Sequence, residues 1–327
     1  MAYGVVAGGT IQALFQLPFV IKQGFKPAFT GIRRAFSDPG TRRVLKLIAP
    51  TVVGMAAYQL NDVISTALAG HAGTGIVSSL QYSLRLQELI LGIFAVSVGT
   101  VILPDLSSLA KKKEWQSFER MLVQAVRIIA LTTIPVSFFA FLFGEHIIVL
   151  VYKTQRFSDE SVALTLQAFR FHIAGLFFIA PAFYAQSNTK APTLAGIGGF
   201  AVNIALAALL IRPMKGGGIA LALSLASFAN TAFLFALLSR SKTIRARKLL
   251  ATASVYALKL ALFSCIAVLA PYFLKERIFA PFASMHRFFA QGIPLCISAL
   301  MFALAGTALL FVTKDPLLNR RTNASLR

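Results

Sequence analysis

The chain is poor in what soluble enzymes are built from. Across 327 residues it has 2 Cys, 4 His, 1 Trp and only 11 Asp and Glu together. Cys265 and Cys296 lie in separate apolar runs, and no CxxC spacing or ligand-spaced histidine cluster accompanies them. Neither a metal centre nor a structural disulfide is therefore expected. No nucleophile–base pairing, no phosphate-binding glycine loop and no zinc-protease spacing occur, so no enzyme and no cofactor are expected, and an ATP-driven pump would need another subunit. The opening MAYGVVAGGTIQALFQLPFVI lacks the positive n-region and cleavage site of a signal peptide. The alternating polar–apolar pattern of a membrane barrel is also missing.

What is present is apolar length. Hydrophobic residues make up 57% and charged residues 13%, with a mean hydropathy of +0.74. Runs of this kind need ~20 residues each to cross a bilayer, and only helices satisfy their own backbone there span by span. The expected fold is an all-α polytopic membrane protein of about nine transmembrane helices. The spans are read near residues 1–21, 45–69, 78–104, 122–143, 163–185, 193–211, 219–238, 255–273 and 293–312. The segment 105–121, DLSSLAKKKEWQSFERM, reads as a polar amphipathic loop.

The net charge of +21 comes from 32 Lys and Arg. In a soluble chain it would suggest nucleic acid. Here the bases fall in short gaps between apolar runs, so membrane topology and anionic lipid explain them and no nucleic-acid partner is expected. Alternate gaps are strongly basic, which places the C-terminus in the cytoplasm and residue 1 outside. An odd count with an outside start carries the expectation of further helices upstream.

The stretch 78–104 is the centre of the reading. Arg85 and Glu88 are three apart, so a helix puts them on one face. Charges inside a span are costly and usually front a bundle interior or a water-filled cavity. That face is the candidate working surface, and the other reading is a pair that locks two helices together. Gln59, Asn61 and Asp62 fall within one helical turn, and a buried Asp needs a partner, a proton or a cation. Helix-to-helix hydrogen bonding is the plainer role for them. Arg170 and His172 lie in the 163–185 span, where Arg170 is placed to reach outer-leaflet headgroups by snorkelling. Lys259, about two turns inside its span, is read in the same way.

Four stretches in order then carry a resemblance: GGTIQALFQLP, DPGTRRVLKLIAPTVVGMAAYQLN, YSLRLQELILGIFAVSVGTVILPDLS and PAFYAQSNTKAP. Together they resemble consecutive landmarks of the MurJ/MviN family, the lipid II flippases of bacterial peptidoglycan synthesis, within the multidrug/oligosaccharidyl-lipid/polysaccharide exporter superfamily. The resemblance implies two six-helix lobes around a central cavity, followed by two further helices. Residues 1–44 would then be the last helix of the first lobe plus a basic cytoplasmic linker. Residues 45–240 would be the second lobe, and residues 241–327 the final helix pair with its basic tail. The other five helices of the first lobe would lie outside this chain, separately encoded or lost.

The same resemblance assigns residues. Arg85 matches the arginine of the family's Y-A-D-R-L segment, which lines the cavity and engages the lipid diphosphate; Leu84 stands where the family has Asp. Glu88 and Gln59 complete the implied substrate-binding set. Some family members hold sodium in this lobe, which makes Asp62 and Asn203 the candidate cation ligands, although Ala207 offers no donor. Arg170 and Lys259 are candidate lipid-headgroup contacts. In the loop 184–192, Asn188 replaces the family's Asp and Ala191 its Thr, and the loop reads as structural. The implied substrate is undecaprenyl-diphosphate-linked disaccharide pentapeptide, moved across the bacterial inner membrane by alternating access, with sodium or the membrane potential as coupling. Two other readings are another exporter of the superfamily, carrying a lipid-linked sugar or a cationic drug, and a truncated membrane fragment that transports nothing.

Overall fold

The computed structural model describes residues 2–24, 31–92, 97–182, 190–239, 246–315 and 317. Among them every regular element is helical: α1 Ala2–Lys22, α2 Ile32–Ser37, α3 Pro39–Ala72, α4 Ile76–Leu91, α5 Ser97–Lys111, α6 Trp115–Tyr152, α7 Asp159–Ala182, α8 Lys190–Ser239, α9 Ala246–Phe273, α10 Lys275–Phe279 and α11 Arg287–Val312. The chain divides into two units, Met1–Ala49 and Pro50–Arg327.

The first unit holds α1, α2 and the opening turns of α3. Asp38 and Pro39 start α3. The Asp38 carboxylate accepts from the Thr41 N–H at 2.9 Å, and Pro39 takes the first helical position, where no N–H is needed. Arg42 Nε donates to the Phe36 carbonyl oxygen at 3.1 Å, tying α3 back onto α2.

The second unit is built on α6 and α7. Along α6 the buried residues Phe118, Leu122, Ala125, Ile129, Thr133, Ser137, Ala140, Phe143 and Ile148 recur at helical spacing. One group of them joins Leu106 of α5, Phe235 of α8 and Leu249 of α9. Others pack with Leu86 of α4 and Phe169 and Ile173 of α7, or with Tyr256, Leu260, Phe302 and Leu310 of α9 and α11. The α7–α8 contact is so close that a Cβ at Gly175 would stand 3.1 Å from the Ser224 Cα. Gly75, at φ +80°, provides the left-handed turn from which α4 starts.

Length and hydropathy make four helical stretches among the described residues able to cross a membrane: Trp115–Tyr152, Leu194–Ala236, Leu249–Phe273 and Arg287–Val312. Leu194–Ala236 has 43 residues, ~65 Å at the rise of a straight helix and about twice a hydrocarbon core. Lys215, at φ 47° and ψ −127°, breaks it into two arms, where the sequence reading put the turn between two spans.

The stretch expected as one span over 78–104 is helical wherever it is described, in α4 and α5, with residues 93–96 outside the described set. One expectation is revised. The expected loop 105–121 is largely helix, since α5 runs to Lys111 and α6 begins at Trp115. Leu106, Leu109, Phe118 and Leu122 are the reason: they enter one apolar cluster, and burial there rewards helix on both sides of a short link. Lys113, at φ 59°, turns the chain in that link. Asn188 lies outside the described residues.

Candidate functional site

A cavity of about 240 Å³ opens within the second unit, between α3, α4, α7 and α8. Gln59, Asn61, Asp62, Ser65 and Thr66 of α3 form one wall, and Gln81, Leu84, Arg85 and Glu88 of α4 form another. His172 of α7 and Leu223 of α8 close the remaining sides. The i, i+3 and i, i+4 spacings on α3 and α4 put these side chains on one stripe of each helix, which is why two short polar runs make one polar lining.

Arg85 and Glu88 meet as the spacing predicts, with Nη1 to Oε2 at 2.8 Å. Their side chains are 71% and 51% exposed, so the pair is open on the cavity side rather than sealed between helices. A guanidinium held this way keeps planar donors available for a bidentate acceptor such as a phosphate. Gln59 and Asp62 line the same cavity and are exposed.

Asn203 is fully buried on α8. Its Nδ2 donates to Asn61 Oδ1 at 2.6 Å and to Ser65 Oγ at 3.1 Å. Among the described residues its own Oδ1 has no partner. Asn203 thus meets the α3 polar cluster, and its bonded neighbour there is Asn61. Arg170 and Lys259 do not line the cavity. Arg170 is exposed, with its guanidinium 5.8 Å from the Phe141 ring centre. Lys259 Nζ is 2.8 Å from the buried carboxylate of Asp315, which also accepts from Tyr256 Oη at 3.2 Å. Among the described residues no group of three or more His, Cys, Asp or Glu is placed to hold a metal ion.

Ser83, Gln87 and Asp315 were not singled out by the sequence, and His172 was named there without a role. Ser83 Oγ and His172 Nδ1 share a hydrogen bond of 2.6 Å, and Gln87 Nε2 donates to the His172 carbonyl oxygen at 2.9 Å. Asp315 reads in sequence as part of a polar tail, yet its side chain is wholly buried. The available signals were faint: a lone histidine in an apolar run, and an acidic residue just past the end of one.

Comparison with known proteins places this architecture. A family model described as "MurJ: Lipid II flippase MurJ" matches residues 1–290. A Treponema pallidum (strain Nichols) protein named "Probable lipid II flippase MurJ" is 44% identical over 320 residues, covering 96% of this chain and 61% of that protein. A Vibrio cholerae serotype O1 protein of the same name is 30% identical over 241 residues, covering 72% of this chain and 45% of that protein. This chain therefore spans about half to three-fifths of the length of these relatives. Among solved structures, "Lipid II flippase MurJ, inward closed conformation" matches at a TM-score of 0.69 and 24% identity, over 94% of this chain and 61% of that one. An outward-facing multidrug resistance MATE family transporter matches at 0.52 and 14% identity, over 92% and 71%. These two likenesses show the fold. With its apolar membrane-crossing helices and a family match running from residue 1 to residue 290, the chain is a multi-pass inner-membrane protein and belongs to the lipid II flippase MurJ family.

Proposed function

We propose that this chain works as the C-terminal portion of a lipid II flippase. It would move undecaprenyl-diphosphate-linked peptidoglycan precursor from the cytoplasmic to the periplasmic leaflet by alternating access. The observation that carries the reading is Arg85, open to a polar cavity and steadied by Glu88, in a chain of this family. Arg85 binds the diphosphate, Glu88 restrains the guanidinium, and Gln59 supplies an amide to the headgroup from the facing wall. Away from bulk water each of these attractions is stronger than in solution.

The finer topology belongs to the same proposal: about nine membrane crossings, a cytoplasmic C-terminus, and a separately encoded first lobe as partner. Asp62 and Asn203 are proposed to hold a sodium ion that couples the cycle, supported by the buried Asn203 oxygen without a partner among the described residues. Sodium would supply a positive charge for those oxygens, and the membrane potential would add ~2.3 kcal/mol per charge per 100 mV. Arg170 and Lys259 are proposed as lipid-headgroup contacts, Lys259 only after parting from Asp315. The apolar space beside α9 and α11 is proposed to take the lipid tail.

Complementation tests the reading. The host flippase is depleted while this chain is expressed, alone and together with the coding region immediately upstream. Growth that is lost with Arg85→Ala at equal membrane abundance supports it. Growth that survives Arg85→Ala, or no growth in either arrangement despite stable insertion, overturns it.

A further inference from the structure

His172 touches the cavity wall at two levels, and no role in substrate binding is assigned to it. It is buried on α7 and lines the cavity. The ring bonds Ser83, and the backbone carbonyl of the same residue accepts from Gln87. We propose that His172 is a positioning residue that pins the rotation of α4, and so decides that Arg85 and Glu88 front the cavity. This rests on the reading of the polar cavity as the substrate site.

The helix geometry carries the argument. At 3.6 residues per turn, Ser83 and Gln87 lie ~40° apart around α4 and one turn apart along it. Both are buried. Two directional bonds one turn apart resist rolling and sliding together. The apolar contact beside them, Leu86 against Phe169 and Ile173, is non-directional and resists neither strongly. Measured from Ser83, Leu84 lies ~100° around the helix, Glu88 ~140°, Gln81 ~160° and Arg85 ~200°. These are the positions that line the cavity. A roll of one residue step, ~100°, would put a leucine where Arg85 stands. Arg85 and Glu88 bond each other, and that bond travels with the helix, so it cannot set the rotation. The bonds to α7 can.

The test reads the face of α4 directly and needs neither substrate nor transport. Single cysteines at Leu84, Glu88 and Leu86 are introduced one at a time, with Cys265 and Cys296 replaced by Ser. Each is labelled in membranes with a charged thiol reagent. In the parent, Leu84→Cys and Glu88→Cys label fast and Leu86→Cys slowly. His172→Phe combined with Gln87→Leu is expected to lower the first two rates at least fivefold and to raise the third. His172→Asn, whose amide oxygen can stand where Nδ1 stood, is expected to keep the parent pattern. Ser83→Ala, a small change that leaves the fold intact, is expected to shift the pattern part of the way. An unchanged pattern in the double variant overturns the proposal, and so does an equal fall at all three sites, which would mark a purely structural role. If the labelling shifts while Arg85→Ala leaves complementation intact, His172 still positions α4 and it is the flippase reading that fails.

Discussion

Two cavities among the described residues of the second unit have opposite character. The one between α3, α4, α7 and α8 is the smaller, about 240 Å³, and is walled by amides, a carboxylate pair and a guanidinium. The one between α6, α9 and α11 is about 400 Å³ and is lined by Leu131, Pro135, Phe139, Phe263, Phe302 and similar residues. Two of its hydroxyls bond the backbone of their own helices: Thr132 donates to the Ile129 carbonyl, and Thr307 donates to the Ala303 carbonyl. In that bundle Lys259 is paired with Asp315, and Arg127 lies 5.7 Å from the Tyr256 ring centre. The ion pairs beside the two cavities differ in exposure: the side chains of Arg85 and Glu88 are 71% and 51% exposed, whereas that of Asp315 is wholly buried against Lys259.

This contrast can be broken most sharply at Arg85. Arg85→Ala should abolish complementation at unchanged membrane abundance. Arg85→Lys should recover only part of it, because an ammonium lacks the planar two-point donor. Growth equal to the parent in both variants would put the working charge elsewhere.

On the apolar side the largest effect should be on stability. Asp315→Ala leaves the Lys259 ammonium partly buried without its partner and should cost ~3 kcal/mol, the range for breaking one half of a buried pair. Thermal unfolding of the purified protein in detergent measures it. Replacing both, Lys259→Met with Asp315→Leu, should return most of that loss, since no unpaired charge remains. Labelling at Leu84→Cys should not change in either variant.

Asn203→Ala should come next. Asn61 and Ser65 lose a donor in a buried place, at a cost of ~1–3 kcal/mol. The same thermal scan reads it, and a loss near zero would mean that the polar cluster is solvated without Asn203. The smallest effect is expected at Gly306, which borders the apolar cavity with its nearest neighbour, the Ala267 Cβ, 3.9 Å from an added methyl. Gly306→Ala should stabilise α11 by ~0.5–1 kcal/mol through lost unfolded-chain freedom, read by the same thermal scan.

Much of this was legible from residue order. The apolar runs near 122–143, 255–273 and 293–312 became α6, α9 and α11, each longer than its run because the flanking residues continue the helix. The Arg85–Glu88 pair followed from spacing alone, and Gln59 and Asp62 line the same cavity. The helix over most of 105–121 was not legible. Its apolar residues are too few to predict burial until Phe235 and Leu249, more than a hundred positions away, close the cluster. The bond between Asn203 and Asn61, and the one between Asp315 and Lys259, join residues 142 and 56 positions apart, and no local pattern specifies either.

The sequence by itself determined the class of molecule, the helical period, the placing of charge along each helix and the family, because these depend on contacts within a few residues and on transfer from water to lipid. Only the tertiary structure decided which way each helix faces. It set Arg85 toward a cavity and Lys259 toward a buried carboxylate, and it made His172 the place where α4 is held. The rotation of a helix about its own axis is fixed by directional bonds to other helices, and those partners are brought together by the fold rather than by the order of the chain.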